Sequence, residues 1–160
     1  MGFIDWLGFG HAGKTLQLGD PMPDVTAPDE NGCSVRLADL AQASCVLVFF
    51  FPKADTPGCT AQACSLRDEF DVLRERGVEV VGVSADSPAA QRRFRERRRL
   101  PYSLIADEKR EVGRAFGVPV FFGMFRRQAF LFRQGKLVWR DLSASTRGQA
   151  RDVLRELDKF

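Results

Sequence analysis

The feature that most constrains this chain is a cysteine at a predicted strand-to-helix junction. Residues 46–49 form an apolar run with the length and β-branched content of a buried strand, and a helical pattern extends to about Arg76. Cys59 lies between them, in the first turn of the predicted helix. Free backbone N–H groups and the positive end of the helix dipole stabilise an anion there, and a thiolate is such an anion. The junction therefore predicts redox chemistry at sulfur.

A second cysteine, Cys64, follows Cys59 by five residues. Cys59 shares the apolar face of the helix with four residues spaced at three- and four-residue steps: Ala63, Leu66, Phe70 and Leu73. Cys64 lies about 140° around the helix from Cys59 and roughly 7.5 Å further along its axis. A disulfide needs Cα atoms within about 7 Å and converging side chains. A bond between the two cysteines would therefore require the first turns of the helix to unwind. Periodicity explains Cys59 as a core residue, but it does not explain Cys64.

The residues around Cys59 resemble the active-site motif of the peroxiredoxins. Pro52, Thr56 and Cys59 match the pattern Pro-x-x-x-Thr/Ser-x-x-Cys, within the longer string FPKADTPGCT followed by QAC and LRD. Further landmarks of the family occur in order up to Phe130. Over residues 18–158 the chain resembles the peroxiredoxin family, specifically its PrxQ or bacterioferritin-comigratory-protein group.

The resemblance implies a thioredoxin-dependent peroxidase of the atypical two-cysteine kind. Cys59 is then the peroxidatic cysteine, whose thiolate reduces hydrogen peroxide or an organic hydroperoxide and becomes a sulfenic acid. Cys64 is the resolving cysteine that condenses with it. Thr56 is expected to position the peroxide, Arg127 to favour the thiolate by its charge, and Pro52 to shield the sulfur from water.

The same resemblance implies the partners. A thioredoxin- or glutaredoxin-like dithiol protein reduces the disulfide, and neither a cofactor nor a metal is expected because the thiolate carries out the chemistry. The N–H groups of Gly58 and Cys59 are further donors to the reacting oxygens.

Two departures from the family bear on substrate or partner preference. Ala129 stands where Thr or Ser is common, and the unusually apolar residues 120–125 are expected near the mouth of the active site.

Strand and helix patterns alternate along the chain. Strands are predicted at residues 45–50, 78–83, 103–105, 127–132 and 136–140, with a short hairpin around Asn31-Gly32. Helices are predicted at residues 60–76, 88–100, 108–116 and 146–159. The alternation indicates an α/β protein, and the resemblance adds a thioredoxin-like fold with a central mixed β-sheet flanked by helices. Residues 1–17 are predicted to be an N-terminal arm, and residues 18–160 the domain.

Composition and charge argue against several classes of function. The net charge of +3 is too small to indicate nucleic-acid binding. No apolar run reaches the ~18 residues of a membrane span, and the start lacks the pattern of a secretory signal. Four cysteines fit a reducing compartment. We therefore expect a cytoplasmic protein without membrane insertion, as a monomer, with a weak dimer as the alternative.

Two further patterns have ordinary interpretations. Residues 8–15 match the letters of a phosphate-binding P-loop, but only seven residues precede Gly8, too few for the buried strand that such a loop needs. Residues 92–99 include six arginines and one glutamate. A solvated amphipathic helix with Phe94 inward is preferred there to a nucleic-acid patch.

The remaining cysteines are not predicted to take part in the chemistry. No zinc site is expected, because structural sites prefer paired Cys-x2–4-Cys knuckles and Cys33 and Cys45 add no second such pair to Cys59 and Cys64. Cys45 is expected to be a buried thiol and Cys33 a bystander. Two rival functions stay open: a dithiol oxidoreductase acting on proteins, which would favour Cys-x-x-Cys, and a redox sensor that is oxidised without turnover.

The predicted arm is apolar. Its large apolar residues are Phe3, Ile4, Trp6, Leu7 and Phe9. Packing against its own domain is the preferred interpretation, because exposed aromatic patches are usually covered or functional. Pairing with another chain and contact with a membrane surface are the alternatives.

Overall fold

The structure is a computed structural model, which describes residues 14–160. In this part the strands are β1 (Thr26–Pro28), β2 (Ser34–Arg36), β3 (Cys45–Phe50), β4 (Val78–Ser84), β5 (Ser103–Ala106), β6 (Val120–Phe121), β7 (Met124–Phe125), β8 (Gln128–Arg133) and β9 (Lys136–Asp141). The helices are α1 (Leu37–Leu40), α2 (Pro57–Asp68), α3 (Phe70–Glu75), α4 (Pro88–Arg98), α5 (Glu111–Phe116) and α6 (Gln149–Leu157).

The central sheet has five strands in the order β5-β4-β3-β8-β9. Strands β3, β4 and β5 run parallel, whereas β8 is antiparallel to β3 and β9 is antiparallel to β8. Two small antiparallel hairpins, β1-β2 and β6-β7, stand outside it. The predicted α/β class with a central mixed sheet is confirmed.

Strand β3 lies at the centre of the sheet and is buried at all six positions. Leu47 and Phe49 face the core that includes α2, α4 and α6, while Val48 and Phe50 face the core that includes α5. A strand covered on both faces requires apolar residues at successive positions, which explains the unbroken apolar run in the sequence. Burying each large side chain contributes roughly 1.5–3 kcal/mol.

The helix predicted at residues 60–76 is not continuous, and this prediction is corrected. Helix α2 already begins at Pro57, a residue suited to a first helical position because it lacks an N–H group. At Glu69 the backbone leaves the helical region, with φ −102° and ψ 10°, and α3 follows. Leu73 is buried with Val80 of β4 in one cluster. Packing of the second segment against the sheet therefore overrides the helical propensity of the sequence.

Other boundaries also differ from the predicted ones. Helix α5 begins at Glu111, because the buried Asp107 carboxylate accepts hydrogen bonds from the N–H groups of Val112 and Gly113 and fixes the entry to the helix. Helix α6 begins at Gln149 rather than at residue 146. The short helix α1 and the β6-β7 hairpin were not predicted.

Helix α4 carries the arginine-rich segment and confirms its amphipathic interpretation. The Ser87 hydroxyl accepts a hydrogen bond from the N–H of Ala90 at the start of the helix. Phe94 is fully buried, and Arg95 pairs with the buried Glu30. The helix therefore packs through one face and exposes Arg92, Arg93 and Arg97 on the other.

The first described residues contact the rest of the domain through hydrogen bonds. The Thr15 hydroxyl donates to the oxygen of Gly117, and the N–H of Leu16 donates to the oxygen of Phe116. Residues 1–13, with the P-loop letters up to Gly13 and the apolar arm, lie outside the described residues. The boundary after residue 17 stays a prediction. None of the helices in residues 14–160 is long and apolar enough to cross a membrane.

Candidate active site

Cys59 is the third residue of α2, in the first turn, and its side chain is buried. Strand β3 leads into this turn through residues 51–56. Thr56 has the extended conformation of the residue that precedes a helix. The predicted first-turn position of Cys59 is confirmed. Its sulfur therefore lies near the helix end whose unpaired N–H groups stabilise negative charge.

Arg127 brings a permanent positive charge to this sulfur. It immediately precedes β8, whose first residue, Gln128, pairs with Phe50 at the end of β3. This register places Arg127 beside the chain that continues toward Cys59. Its Nη2 atom lies 3.5 Å from the Sγ of Cys59. The arrangement places a hydrogen-bond donor that carries a positive charge directly against this sulfur.

A buried pair of glutamines holds the Arg127 guanidinium. Nη1 of Arg127 donates a 2.7 Å hydrogen bond to Oε1 of Gln62, and Nε2 of Gln62 donates a 2.8 Å hydrogen bond to Oε1 of Gln149. Both glutamine side chains are fully buried. The bond to Gln149 fixes which end of the Gln62 amide faces Arg127.

Neither glutamine was predicted to belong to the site, although Gln62 lies in the QAC string that follows Cys59. Gln62 lies one helical turn after Cys59, so the i, i+3 spacing was a usable signal. Gln149 opens a helix 87 residues away from Gln62, and nothing local in the sequence connects them.

Gly58 provides the space that the guanidinium occupies. A Cβ atom at this position would lie only 3.0 Å from Nη2 of Arg127. Any larger residue at position 58 would therefore press on the side chain that contacts Cys59. The N–H of Gly58 belongs to the same first turn of α2.

Thr56 and the loop before it are held by hydrogen bonds and charges. The Thr56 hydroxyl donates a 2.7 Å hydrogen bond to the oxygen of Lys53, which leaves its lone pairs free to accept. The N–H of Ala54 donates to Asp86, and Asp55 lies 3.5 Å from a guanidinium nitrogen of Arg97 in α4. The arginine-rich helix thus helps to position the active-site loop.

A groove of about 760 Å³ opens beside Arg127. The groove is lined by Pro52 and by residues 119–121, 124–127 and 142–144. The predicted position of the apolar segment at the mouth of the site is consistent with this lining. Ala129, by contrast, is fully buried in β8 opposite Phe49 and does not line the groove.

Comparison with known proteins assigns the family. The model of the AhpC/TSA family matches residues 18–140. The chain belongs to this family. Peroxiredoxin Bcp of Escherichia coli K12 is 48% identical over 103 residues, which are 64% of this chain and 65% of that protein. Peroxiredoxin bcp1 of Schizosaccharomyces pombe is 42% identical over 104 residues, 65% of this chain and 53% of that protein. These matches place the chain in the BCP/PrxQ group.

Solved structures agree with the fold. The crystal structure of peroxidoxin BcpB from Mycobacterium tuberculosis superposes with a TM-score of 0.84 at 32% identity, over 91% of this chain and 98% of that one. The predicted thioredoxin-like fold is confirmed. The chain spans between about half and two thirds of the length of the curated relatives named above.

The second cysteine of this AhpC/TSA family member, Cys64, lies five residues after Cys59 in the same helix, α2. Cys64 is half-buried, Cys59 is fully buried, and both are free thiols. Cys64 neighbours Tyr102, whose hydroxyl donates a 2.7 Å hydrogen bond to the oxygen of Ala63. Burial, followed by the neighbouring Cys64, raises the pKa of Tyr102 well above its usual value. The phenol therefore stays protonated and remains a donor.

The other two cysteines lie apart from this arrangement. Cys33 is exposed beside the β1-β2 turn. Cys45 opens β3 and is buried, and this burial raises the pKa of its thiol. Within residues 14–160, acidic, cysteine and histidine side chains form no group of three or more with the geometry to hold a metal ion.

Proposed function

We propose that this protein is a thiol-dependent peroxidase that reduces hydrogen peroxide and organic hydroperoxides. One observation carries the proposal: a guanidinium nitrogen of Arg127 lies 3.5 Å from the buried sulfur of Cys59, at the N-terminus of α2. A sulfur with a cation on one side and free N–H groups on the other is an activated nucleophile. The relatives named peroxiredoxin support the same activity.

In the first step the Cys59 thiolate attacks the terminal oxygen of the hydroperoxide. The S–O bond forms as the O–O bond breaks, and the departing oxygen takes a proton to leave as water or an alcohol. Sulfur is oxidised by two electrons to the sulfenic acid. Negative charge moves from sulfur to the departing oxygen during this step, so donors fixed along that line stabilise the transition state.

Each surrounding residue has a role in this proposal. Arg127 stabilises the thiolate and holds an oxygen of the peroxide. Thr56, whose own proton is donated to Lys53, accepts the O–H of the hydroperoxide and so orients it. The N–H of Gly58 is a further donor, and Pro52 presents an apolar ring at the groove that limits access of water.

In the second step the Cys64 thiol attacks the sulfenic sulfur of Cys59. A disulfide forms and water leaves. Because the two residues are on different faces of α2, the first turns of the helix open before the bond can form. A dithiol protein of the thioredoxin or glutaredoxin type then reduces the disulfide, most simply in the cytoplasm, where such reductants keep thiols reduced. The protein acts as a monomer in this proposal.

Peroxide consumption by the pure protein tests the assignment, with dithiothreitol and separately with a thioredoxin system. Cys59→Ser is expected to abolish consumption with both reductants. Cys64→Ser is expected to consume one equivalent of peroxide and then stall with thioredoxin. Cys33→Ser is the matched control, because Cys33 is exposed and remote in the hairpin, and it should retain activity. Full thioredoxin-dependent turnover by Cys64→Ser would show that another thiol resolves the sulfenic acid.

Variants of Arg127 test the observation that carries the proposal. Arg127→Ala should lower the second-order rate of oxidation by roughly 10²–10³-fold, the usual cost of removing a transition-state donor. Arg127→Lys keeps the charge but loses the planar pair of donors, so it should also be impaired. A single stoichiometric oxidation by the wild type without turnover would instead identify a redox sensor.

A further inference from the structure

An apolar patch is exposed beside the groove. Phe121 is 69% exposed and Phe122 is 87% exposed, and their rings meet edge to face with 4.6 Å between centroids. The other exposed members of this apolar patch are Val120, Met124 and Leu142. Contiguous large apolar side chains on a surface mark a place where another segment or molecule binds.

The hairpin tip holds the patch in place at a conformational cost. Phe122 has φ 52° and Gly123 has φ 76°, the pair of positive values found in a type I′ turn, where Asn-Gly is usual. A bulky residue is rare in this region, because its Cβ crowds the backbone. The Arg110 guanidinium donates two hydrogen bonds, of 3.1 and 2.8 Å, to the oxygen of Gly123. Strain that is held in this way points to a function for the residue that bears it.

We propose that residues 3–9 of the same chain dock on this apolar patch. The described chain begins next to it: Thr15 and Leu16 hydrogen-bond to Gly117 and Phe116, and Gly117 precedes Val120 by three residues. Those three residues span at most roughly 11 Å. Residue 9 is six residues before Thr15, a reach of roughly 20 Å when extended. The arm is therefore long enough to cover the apolar patch.

The chemistry of the arm matches the surface. Residues 3–9 include five large apolar side chains, and their single charged residue is Asp5. Arg126, which lines the groove next to the patch, is exposed and of opposite sign. Burial of apolar area drives the docking, and the negative charge of the arm complements the positive charge of Arg126 beside the patch.

Docking would place part of the arm along the groove that leads to Pro52 and Arg127. A bulky hydroperoxide would then share that groove with the arm, whereas hydrogen peroxide needs little of it. This consequence rests on the proposed peroxidase activity, but the docking itself does not.

Trp6 provides a direct test, because the chain has only two tryptophans and the other is Trp139. In full-length Trp139→Phe protein, Trp6 should be protected from acrylamide quenching. Adding Phe121→Ser and Phe122→Ser should raise the quenching constant several-fold. Adding Val72→Ser instead, an exposed apolar residue on α3, should leave it unchanged. Circular dichroism and urea unfolding verify that each variant is folded.

Other occupants of the patch give different results. Full quenching of Trp6 in the Trp139→Phe protein, or equal quenching with and without the phenylalanines, would overturn the proposal. Protection that disappears on dilution, together with a dimer in sedimentation, would assign the patch to a second copy of the chain and also overturn it. Protection seen only with phosphatidylglycerol vesicles would overturn it in favour of a membrane surface. None of these readouts depends on peroxidase activity.

Discussion

The Tyr102 hydroxyl donates a 2.7 Å hydrogen bond to the oxygen of Ala63, the residue immediately before Cys64. Tyr102 precedes β5 and is buried, so this bond ties the middle of α2 to the sheet layer. In the proposed reaction the same part of α2 must move for Cys64 to reach Cys59. The bond therefore opposes the opening that resolution needs.

Tyr102→Phe should loosen α2 around Cys64. The ring still fills the buried space, while the lost hydrogen bond should lower the free energy of unfolding by about 1 kcal/mol. Disulfide formation after a peroxide pulse should become faster, because the helix opens more easily. Urea unfolding and rapid-quench trapping of free thiols measure the two effects. Lower stability with an unchanged rate of disulfide formation would show that the Tyr102–Ala63 hydrogen bond does not limit the reaction.

Disulfide formation should open the start of α2. In the oxidised protein the amides of residues 60–65 should lose hydrogen-exchange protection, since exchange reports local opening. Leu66 and Leu73 are fully buried, so the segment around them should stay protected. Exchange of reduced and oxidised protein, with Cys64→Ser as the control that cannot form the bond, tests this. Equal protection in both states would contradict an intramolecular Cys59–Cys64 disulfide.

Gln149→Met should weaken the proposed function of Arg127 without a direct contact to it. The variant removes the oxygen that orients the Gln62 amide, so its NH₂ end can turn toward the guanidinium. The oxidation rate should fall by up to about tenfold, the equivalent of one hydrogen bond. The free energy of unfolding should fall by about 1 kcal/mol with the lost buried hydrogen bond. Arg151→Met, exposed on the same helix, is the control and should change neither quantity.

Asp107 should make stability depend on pH. Burial raises the pKa of this carboxyl, although the N–H groups of Gly113 and Val112 oppose the shift. The folded state therefore holds a proton at pH values where the unfolded state has lost it, and stability rises as pH falls through that window. Asp107→Asn removes the titration. Urea unfolding between about pH 7 and about pH 4.5 measures this effect. The free energy of unfolding of the wild type should increase relative to that of the variant as pH falls. Parallel profiles would contradict this.

The thiols of Cys33 and Cys45 should differ sharply in their reactivity toward alkylating reagents. Cys33 is exposed, so iodoacetamide should modify it in the native protein. Cys45 is buried with a raised pKa, so little thiolate is present at neutral pH and access is blocked. Mass spectrometry of the labelled Cys59→Ser, Cys64→Ser protein should find Cys45 modified only in denaturant. Native labelling of Cys45 at the rate of Cys33 would show that β3 opens at its start.

The sequence alone determined the position of Cys59 and the class of the fold. Both depend on local physical rules. An apolar run of strand length leads into a helix-period pattern, and the residue in the first turn of a helix meets free N–H groups wherever that helix packs. The motif through Pro52 and Thr56 is also contiguous. Arg127 was identified only by its resemblance to the family, since it is 68 residues from Cys59.

Only the tertiary structure decided how the site is assembled. The pairing of Phe50 with Gln128 brings Arg127 to the sulfur, and the packing of α6 brings Gln149 to Gln62, contacts that carry no local signal in the sequence. The break at Glu69 and the bond from Tyr102 to Ala63 likewise follow from packing against the sheet. Local propensities are small, and the burial of apolar side chains, worth several times more for each residue, selects the final arrangement.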